Sequence, residues 1–227
     1  MLSLIRGKDN MSTEDRVQLF DVWATHYDSS IQLTHDFPFD GYQDVLDEIY
    51  KLSTVKTQML VLDLGVGTGN LAKQFTAFGC AVWGIDFSFE MLAKAREKIP
   101  QARFVQADLL GDWPTELHQR FDRIVSSYVL HEFDLAKKVS LLQRLTHRYL
   151  ANGGRIIIGD IAFQTIQTRE LTRKKWANLW DEDEHYWAAD ETMTVCKRAG
   201  ISLQYSQISS CGGIFVIESP YSECEAA

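Results

Sequence analysis

The chain lacks the features that announce several large classes of protein. Its four cysteines, Cys80, Cys196, Cys211 and Cys224, form no C-x-x-C pair. Neither a metal site nor a disulfide framework is therefore expected, and the usage suits a reducing cytoplasm. No apolar run approaches the roughly 18 residues of a membrane span, so no transmembrane helix is expected. The opening MLSLIRGKDN has no long apolar core and no small-residue cleavage site, unlike a secretory signal, and Met11 is an alternative start. Basic charge is also scarce. With 23 Lys and Arg against 31 Asp and Glu, the net charge is −8, which argues against a broad footprint on nucleic acid or anionic membrane. The densest basic stretch, Arg169 to Lys175, reads as a solvated helix face. No internal repeat, low-complexity tract or linker divides the sequence. Its 227 residues, 45% of them apolar, are expected to form a single domain: an N-terminal helical cap over 1–52, and a core over 59–227 with a helical insertion at about 164–189.

What is present is organised around Met59 to Leu71, MLVLDLGVGTGNL. The run to Leu64 has the composition of a fully buried parallel strand. It ends in three glycines at alternate positions, Gly65, Gly67 and Gly69, and helical periodicity follows. A strand, a glycine turn and a helix make a nucleotide-type binding corner, because bare backbone can turn tightly and let a ligand approach. The dinucleotide fingerprint G-x-G-x-x-G needs its third small residue where this chain has Asn70. That disfavours, without excluding, an NAD-type oxidoreductase.

Alternation of strand and helix continues from there. Ala81 to Ile85 reads as a second strand ending at Asp86, an acid about 20 residues beyond Gly65 that can take both hydroxyls of a ribose. Ser88 is the expected cap of the next helix, with Glu90 in its first turn. Arg103 to Ala107 is a third strand running into Asp108 and Leu109, which can offer an acceptor and a backbone donor to an adenine edge. Phe121 to Tyr128 is a fourth, followed by His131 and Glu132. Asp134 should cap a helix reaching Leu150, ended by Asn152-Gly153-Gly154. Arg155 to Gly159 is a fifth strand. Gln164 to about Trp180 and Asp190 to Ala199 read as helices, the second capped by Asp190. Ile201 to Ile208 and Gly213 to Glu218 read as a hairpin. The expected fold is α/β: a doubly wound, Rossmann-like, seven-stranded sheet, mostly parallel with one antiparallel strand in the C-terminal hairpin. Gly65, Asp86, Asp108 and Ser127 then converge on one edge.

The pattern D-x-G-x-G-x-G from Asp63 to Gly69 resembles motif I of the class I S-adenosylmethionine (AdoMet) methyltransferases. More narrowly, the chain is similar to the YrrT-type methyltransferases of Gram-positive bacteria. The shared segments are Phe20-x-x-Trp23-Ala24-x-x-Tyr27-Asp28, the corner from Leu64 to Leu71, the I-V-S-S-Y run from Ile124 with His131 after it, and Phe163-Gln164. That family often has a second His where this chain has Glu132.

The resemblance implies AdoMet held by Gly65, Gly67, Gly69 and neighbouring backbone, with Asp63 beneath. It puts the ribose on Asp86 beside Phe87 and Ser88, the adenine on Asp108 and Leu109, and the transferred methyl near Ser127. A helix carrying Tyr27 would close over the methionine part. The product would be S-adenosylhomocysteine. The sequence has neither the (D/N)-P-P-(Y/F) nor the Pro-Cys pattern of enzymes that methylate nucleic-acid bases, so a small-molecule acceptor is expected in the cytoplasm, without nucleic acid, membrane or metal. His131, read as a neutral imidazole, either removes the acceptor's proton or merely packs on the following helix. Trp23, Tyr128, Trp180 and Tyr186 are candidates to line the acceptor pocket. A non-catalytic AdoMet-binding regulator is the other open reading.

Overall fold

The computed structural model describes Asp21, Val22 and residues 36–220. Tyr27, Trp23, most of the expected opening helix and both possible start residues lie outside these. The apolar runs become the inner strands of one sheet: β1 (Leu60–Leu64), β2 (Ala81–Asp86), β3 (Arg103–Gln106), β4 (Phe121–Ser127) and β5 (Leu150–Phe163). The two-residue β6 (Trp187–Ala188) adds to β5, and β7 (Leu203–Gln207) and β8 (Gly212–Glu218) form the hairpin. The order is β3-β2-β1-β4-β5-β8-β7. Pairing is parallel from β3 to β5, and β8 runs antiparallel to both neighbours. This is the expected sheet with one further short strand.

Alternation along the strands divides the core. Leu62 and Leu64 enter one apolar cluster and Val61 the other, as a period of two requires. The helices α1 (Tyr42–Ser53), α2 (Ala72–Ala77) and α3 (Phe89–Lys98) bury Val45, Ile49, Phe75 and Leu92 on the Val61 face. On the other face α4 (Leu135–Arg144) and α6 (Ala189–Arg198) bury Leu141, Leu142 and Cys196. Helix α5 (Ile166–Lys175) buries no residue, as its basic sequence suggested. Two glycines let α1 sit close on the sheet. A Cβ at Gly159 would lie 2.5 Å from Val45 Cγ1, and one at Gly212 would lie 2.8 Å from Val45 Cγ2. The turn before α1 is tied to the hairpin, because Ser209 Oγ donates to the Asp40 carbonyl at 2.5 Å.

Caps behave as expected at two helices. Ser88 Oγ accepts from Met91 N at 3.1 Å, and an Asp134 oxygen accepts from Lys137 N at 2.8 Å. Asp190 does not cap α6. It lies inside that helix and accepts instead from Ile166 N at the start of α5. The helix after Asp134 stops at Arg144, and a π turn over Leu145–Tyr149 leads directly into β5. Asn152-Gly153-Gly154 therefore lies within β5, where Gly153 takes a φ of 68°. Strand β4 ends one residue early because Tyr128 adopts a left-handed φ of 55°, a conformation that a bulky residue rarely holds without surrounding support.

Candidate functional site

The strands β3, β2, β1 and β4 lie side by side, so the residues at their carboxyl ends face one edge. Gly65 (φ 64°) follows β1, and a Cβ there would come within 2.4 Å of Val129 Cγ2. Gly67 (φ 52°) has no described atom within 4 Å of where its Cβ would stand. Among the described residues the middle glycine therefore presents bare backbone with nothing packed on it, which is what close approach of a ligand needs. Lys98 Nζ braces the turn through Thr68 Oγ1 at 3.2 Å and Asn70 Oδ1 at 2.7 Å.

Two carboxylates stand under this turn. Asp86 is buried at the end of β2. It accepts from Gly67 N and Ser88 N, both at 2.9 Å. Burial pushes it up to about 6, and the backbone N–H groups of Ser88, Gly67 and Phe87 offset only part of that. Asp63 on β1 is buried, and neither of its oxygens has a hydrogen-bond partner among the described residues. Burial first, and then the like charge of Asp86, hold it well above the usual carboxylate range. A buried carboxylate in this state disfavours the empty fold. A cationic donor would relieve it. Asp21 reaches the same corner and accepts from Ser88 Oγ at 2.5 Å.

Asp108, beyond β3, is exposed. Its Oδ1 accepts from Leu110 N at 2.8 Å, and its carbonyl accepts from Trp113 Nε1 at 3.2 Å, which fixes the loop. Leu109 beside it is buried, with its carbonyl bonded to the Arg144 guanidinium. The Phe87 carbonyl accepts from Gln106 Nε2 at 2.9 Å. Ser127 pairs with Gly159 at the end of β4. Tyr128 packs against Tyr42 and Phe39 at ring distances of 5.0 and 5.8 Å, and its buried hydroxyl has no partner among the described residues.

Of the expected acceptor residues, Trp180 and Tyr186 come together beyond β4. Trp180 meets Tyr186 edge-on at 4.5 Å and stacks on Phe37 at 5.5 Å, and Tyr186 lies 6.2 Å from the His131 ring. The neutral imidazole expected of His131 is not what its surroundings favour. Its Nδ1 lies 2.5 Å from Asp160 Oδ1, and its Nε2 lies 3.8 Å from Glu184 Oε1. Burial alone would lower its pKa, but the Asp160 and Glu184 carboxylates outweigh that and raise it to about 9. Asp160, on β5, is fully buried and is held as a carboxylate by four donors: His131 N, His131 Nδ1, Ile161 N and Trp187 Nε1. Lys138 lies 4.1 Å above the Trp187 ring and donates to the His185 carbonyl. Burial lowers its pKa to about 7.

Asp160, Lys138 and Glu184 are the residues that the sequence reading did not pick out. Asp160 carried a usable signal, an acid near the end of a strand, as at Asp86. Glu184 carried none, being one acid among several in DEDEH.

The sequence profile of a family described as "Methyltransferase domain" matches residues 61–154. An "Uncharacterized methyltransferase" of Alkaliphilus oremlandii is 35% identical over 202 residues, covering 85% of this chain and 92% of that protein. Another, from Oceanobacillus iheyensis, is 32% identical over 203 residues, with 85% and 92% covered. Among solved structures, a "DhpI-SAM-HEP complex" superposes with a TM-score of 0.68 at 18% identity, covering 92% of this chain and 99% of that one. The magnesium protoporphyrin IX methyltransferase ChlM of Synechocystis, with bound SAH, gives 0.67 at 19% identity, covering 90% and 99%.

Proposed function

The chain belongs to the class I methyltransferase family, and from that premise we propose that it transfers a methyl group from AdoMet to a small-molecule acceptor in the cytoplasm. The observation that carries the reading is the pair of buried carboxylates under the glycine turn, one of them, Asp63, with no partner among the described residues. AdoMet supplies an electrophilic methyl on a sulfonium and carries an ammonium and a free ribose. The residues fit it. The Gly67 backbone lets an adenosine approach, and Asp86, already fixed by two backbone N–H groups, keeps lone pairs for ribose hydroxyls. Asp63 provides negative charge below the turn for the cationic tail. Asp108 and Leu109 edge the adenine end, with Phe87 and Ser88 between, and Ser127 and Tyr128 lie at the next exit. The chain's contribution to the transfer is orientation and exclusion of water.

The net charge of −8 and the absence of base-methylation motifs support a small acceptor over nucleic acid. No helix among the described residues is long and apolar enough to cross a membrane. Trp180, Tyr186 and His131 form the wall against which the acceptor rests, with the His131 ring held in place by Asp160.

Calorimetry across pH tests the cofactor assignment. Ribose hydroxyls donate to the ionised form of Asp86, whose pKa is raised to about 6. Above that value the binding form is already present, and below it a proton must first leave. AdoMet affinity should therefore fall by about tenfold between pH 7 and pH 5, and NAD should not bind at any pH. A flat profile would remove Asp86 from the site. Turnover of methyl-labelled AdoMet against a panel of small thiols, hydroxy acids, phenols and amines tests catalysis itself. No turnover on a bound cofactor would favour a regulator instead.

For the acceptor wall, Trp180→Ala should raise the acceptor KM about tenfold while AdoMet affinity stays within about twofold, since one large ring contact is removed from one ligand only. The opposite split would place Trp180 on the cofactor side.

A further inference from the structure

His131, Glu132 and Glu184 meet where the turn after β4 packs against the loop before β6. Each offers one ligand atom, and the three atoms lie within 4.8 Å of one another. The chemistry of the set is one imidazole nitrogen and two carboxylates. The sequence spacing gave no hint of it, because Glu184 is distant from the other two along the chain.

The ring of His131 is aimed. Nδ1 faces Asp160 Oδ1 at 2.5 Å, so Nε2 is the nitrogen turned toward the glutamates, 3.8 Å from Glu184 Oε1. That gap is too long for a direct hydrogen bond. It is a few tenths of an ångström longer than the roughly 3.4 Å between two tetrahedral ligands of one cation, since imidazole nitrogen and carboxylate oxygen each sit about 2.0–2.2 Å from zinc. Tetrahedral ligands at that range stand about 3.4 Å apart, so separations of up to 4.8 Å in the trio close by up to about 1.4 Å as the glutamate side chains turn inward. A buried carboxylate that fixes the far nitrogen of a histidine is also the usual outer support of a metal-bound imidazole. Here Asp160 is 0% exposed and is fixed in turn by Trp187 Nε1 at 2.9 Å. Lys138, the cation beside Asp160, is held by its bond to the His185 carbonyl and its seat on Trp187. Three carboxylates, Glu132, Asp160 and Glu184, thus surround one imidazole.

We propose that His131, Glu132 and Glu184 bind one divalent transition-metal cation, zinc or manganese, which displaces the Nε2 proton to solvent while Nδ1 keeps its bond to Asp160, and leave coordination positions for an oxygen of the methyl acceptor. The imidazole separates the site from the all-oxygen sets that calcium and magnesium prefer. Metal binding here goes beyond the AdoMet reading and is measured without cofactor or turnover, so the two can fail separately.

The test uses the full chain stripped with a chelator and titrated with manganese(II), followed by the electron paramagnetic resonance of the free ion. Manganese is chosen because the chain's thiols bind it poorly. One equivalent should bind, saturating below about 100 μM. Glu132→Gln and Glu184→Gln should each weaken binding at least about tenfold, and Asp160→Asn by about 10–100-fold through the ring it positions. Glu97→Gln, on an exposed face of α3, should change nothing. Absence of saturable binding up to about 1 mM, or equal affinity in wild type and both glutamine variants, would overturn the assignment. Should Asp160→Asn fail to fold, the two less buried glutamates decide, with circular dichroism confirming that each variant is native.

Discussion

Gly65→Ala should weaken AdoMet binding about 100-fold and lower stability by about 2–5 kcal/mol. Two costs meet at this position. A φ of 64° is the left-handed region, which costs an L-residue about 1–2 kcal/mol. The new methyl would also stand 2.4 Å from Val129 Cγ2 and 2.7 Å from its Cγ1, and forcing a methyl into packed surroundings costs about 1–3 kcal/mol more. The backbone can escape only by moving, and it is the backbone that carries Gly67 N to Asp86. Displacement of about 1 Å in a positioning element is enough for a loss of about two orders of magnitude. The double variant Gly65→Ala/Val129→Ala separates the costs. Removing the valine methyls should return the packing part while leaving the dihedral part, so that binding and melting temperature recover partially. Full recovery would show that φ at Gly65 is immaterial. Unchanged AdoMet affinity in the single variant would show that the turn does not hold the ligand.

Asp160→Asn should be the most destabilising single-atom-scale change at the site, at about 3–5 kcal/mol, seen as a fall in melting temperature of roughly 6–20 °C. The carboxylate accepts from four donors and pairs with His131 at 0% exposure. An asparagine keeps the volume but turns one acceptor into a donor that faces N–H groups. It also removes the charge that offsets a buried imidazolium. Breaking one side of a buried pair costs more than the pair's own net worth, because the remaining charge is left in low dielectric. Asp134→Asn offers the contrast. That carboxylate makes one cap bond at the surface, and its loss should cost no more than about 1 kcal/mol. A change of under about 1 kcal/mol at Asp160 would mean that the ion pair does little to hold β5 against the turn after β4.

The glycine turn and the carboxylate at the next strand exit were legible because their signals are local. Glycines at 65, 67 and 69 and an acid at the following strand exit are read within one β-α-β unit, and the sheet order follows from the handed, unbroken alternation. The caps at Ser88 and Asp134 were readable for the same reason. What escaped depends on distant contact. Asp190 looks like a cap in sequence, but α5 packs close enough to claim its carboxylate. Asn152-Gly153-Gly154 looks like a stop, but Leu150 finds a ladder partner in Phe121 and the strand begins there. His131 looked like a neutral base until Asp160 and Glu184, from two other segments, were seen on either side of it.

The close seat of α1 has a consequence for how the protein is made. The helix leaves the ribosome well before β5 and β8, with Val45, Leu46 and Ile49 forming one oily stripe. The hollow that receives Val45 is moulded by Gly159 of β5 and Gly212 of β8, and the loop that latches the preceding turn, at Ser209, is translated 169 residues after the Asp40 it holds. Helix α1 must therefore wait, its greasy side uncovered, until β5 and β8 have both been made. A nascent chain cut short before β8 should be the form that chaperones hold longest.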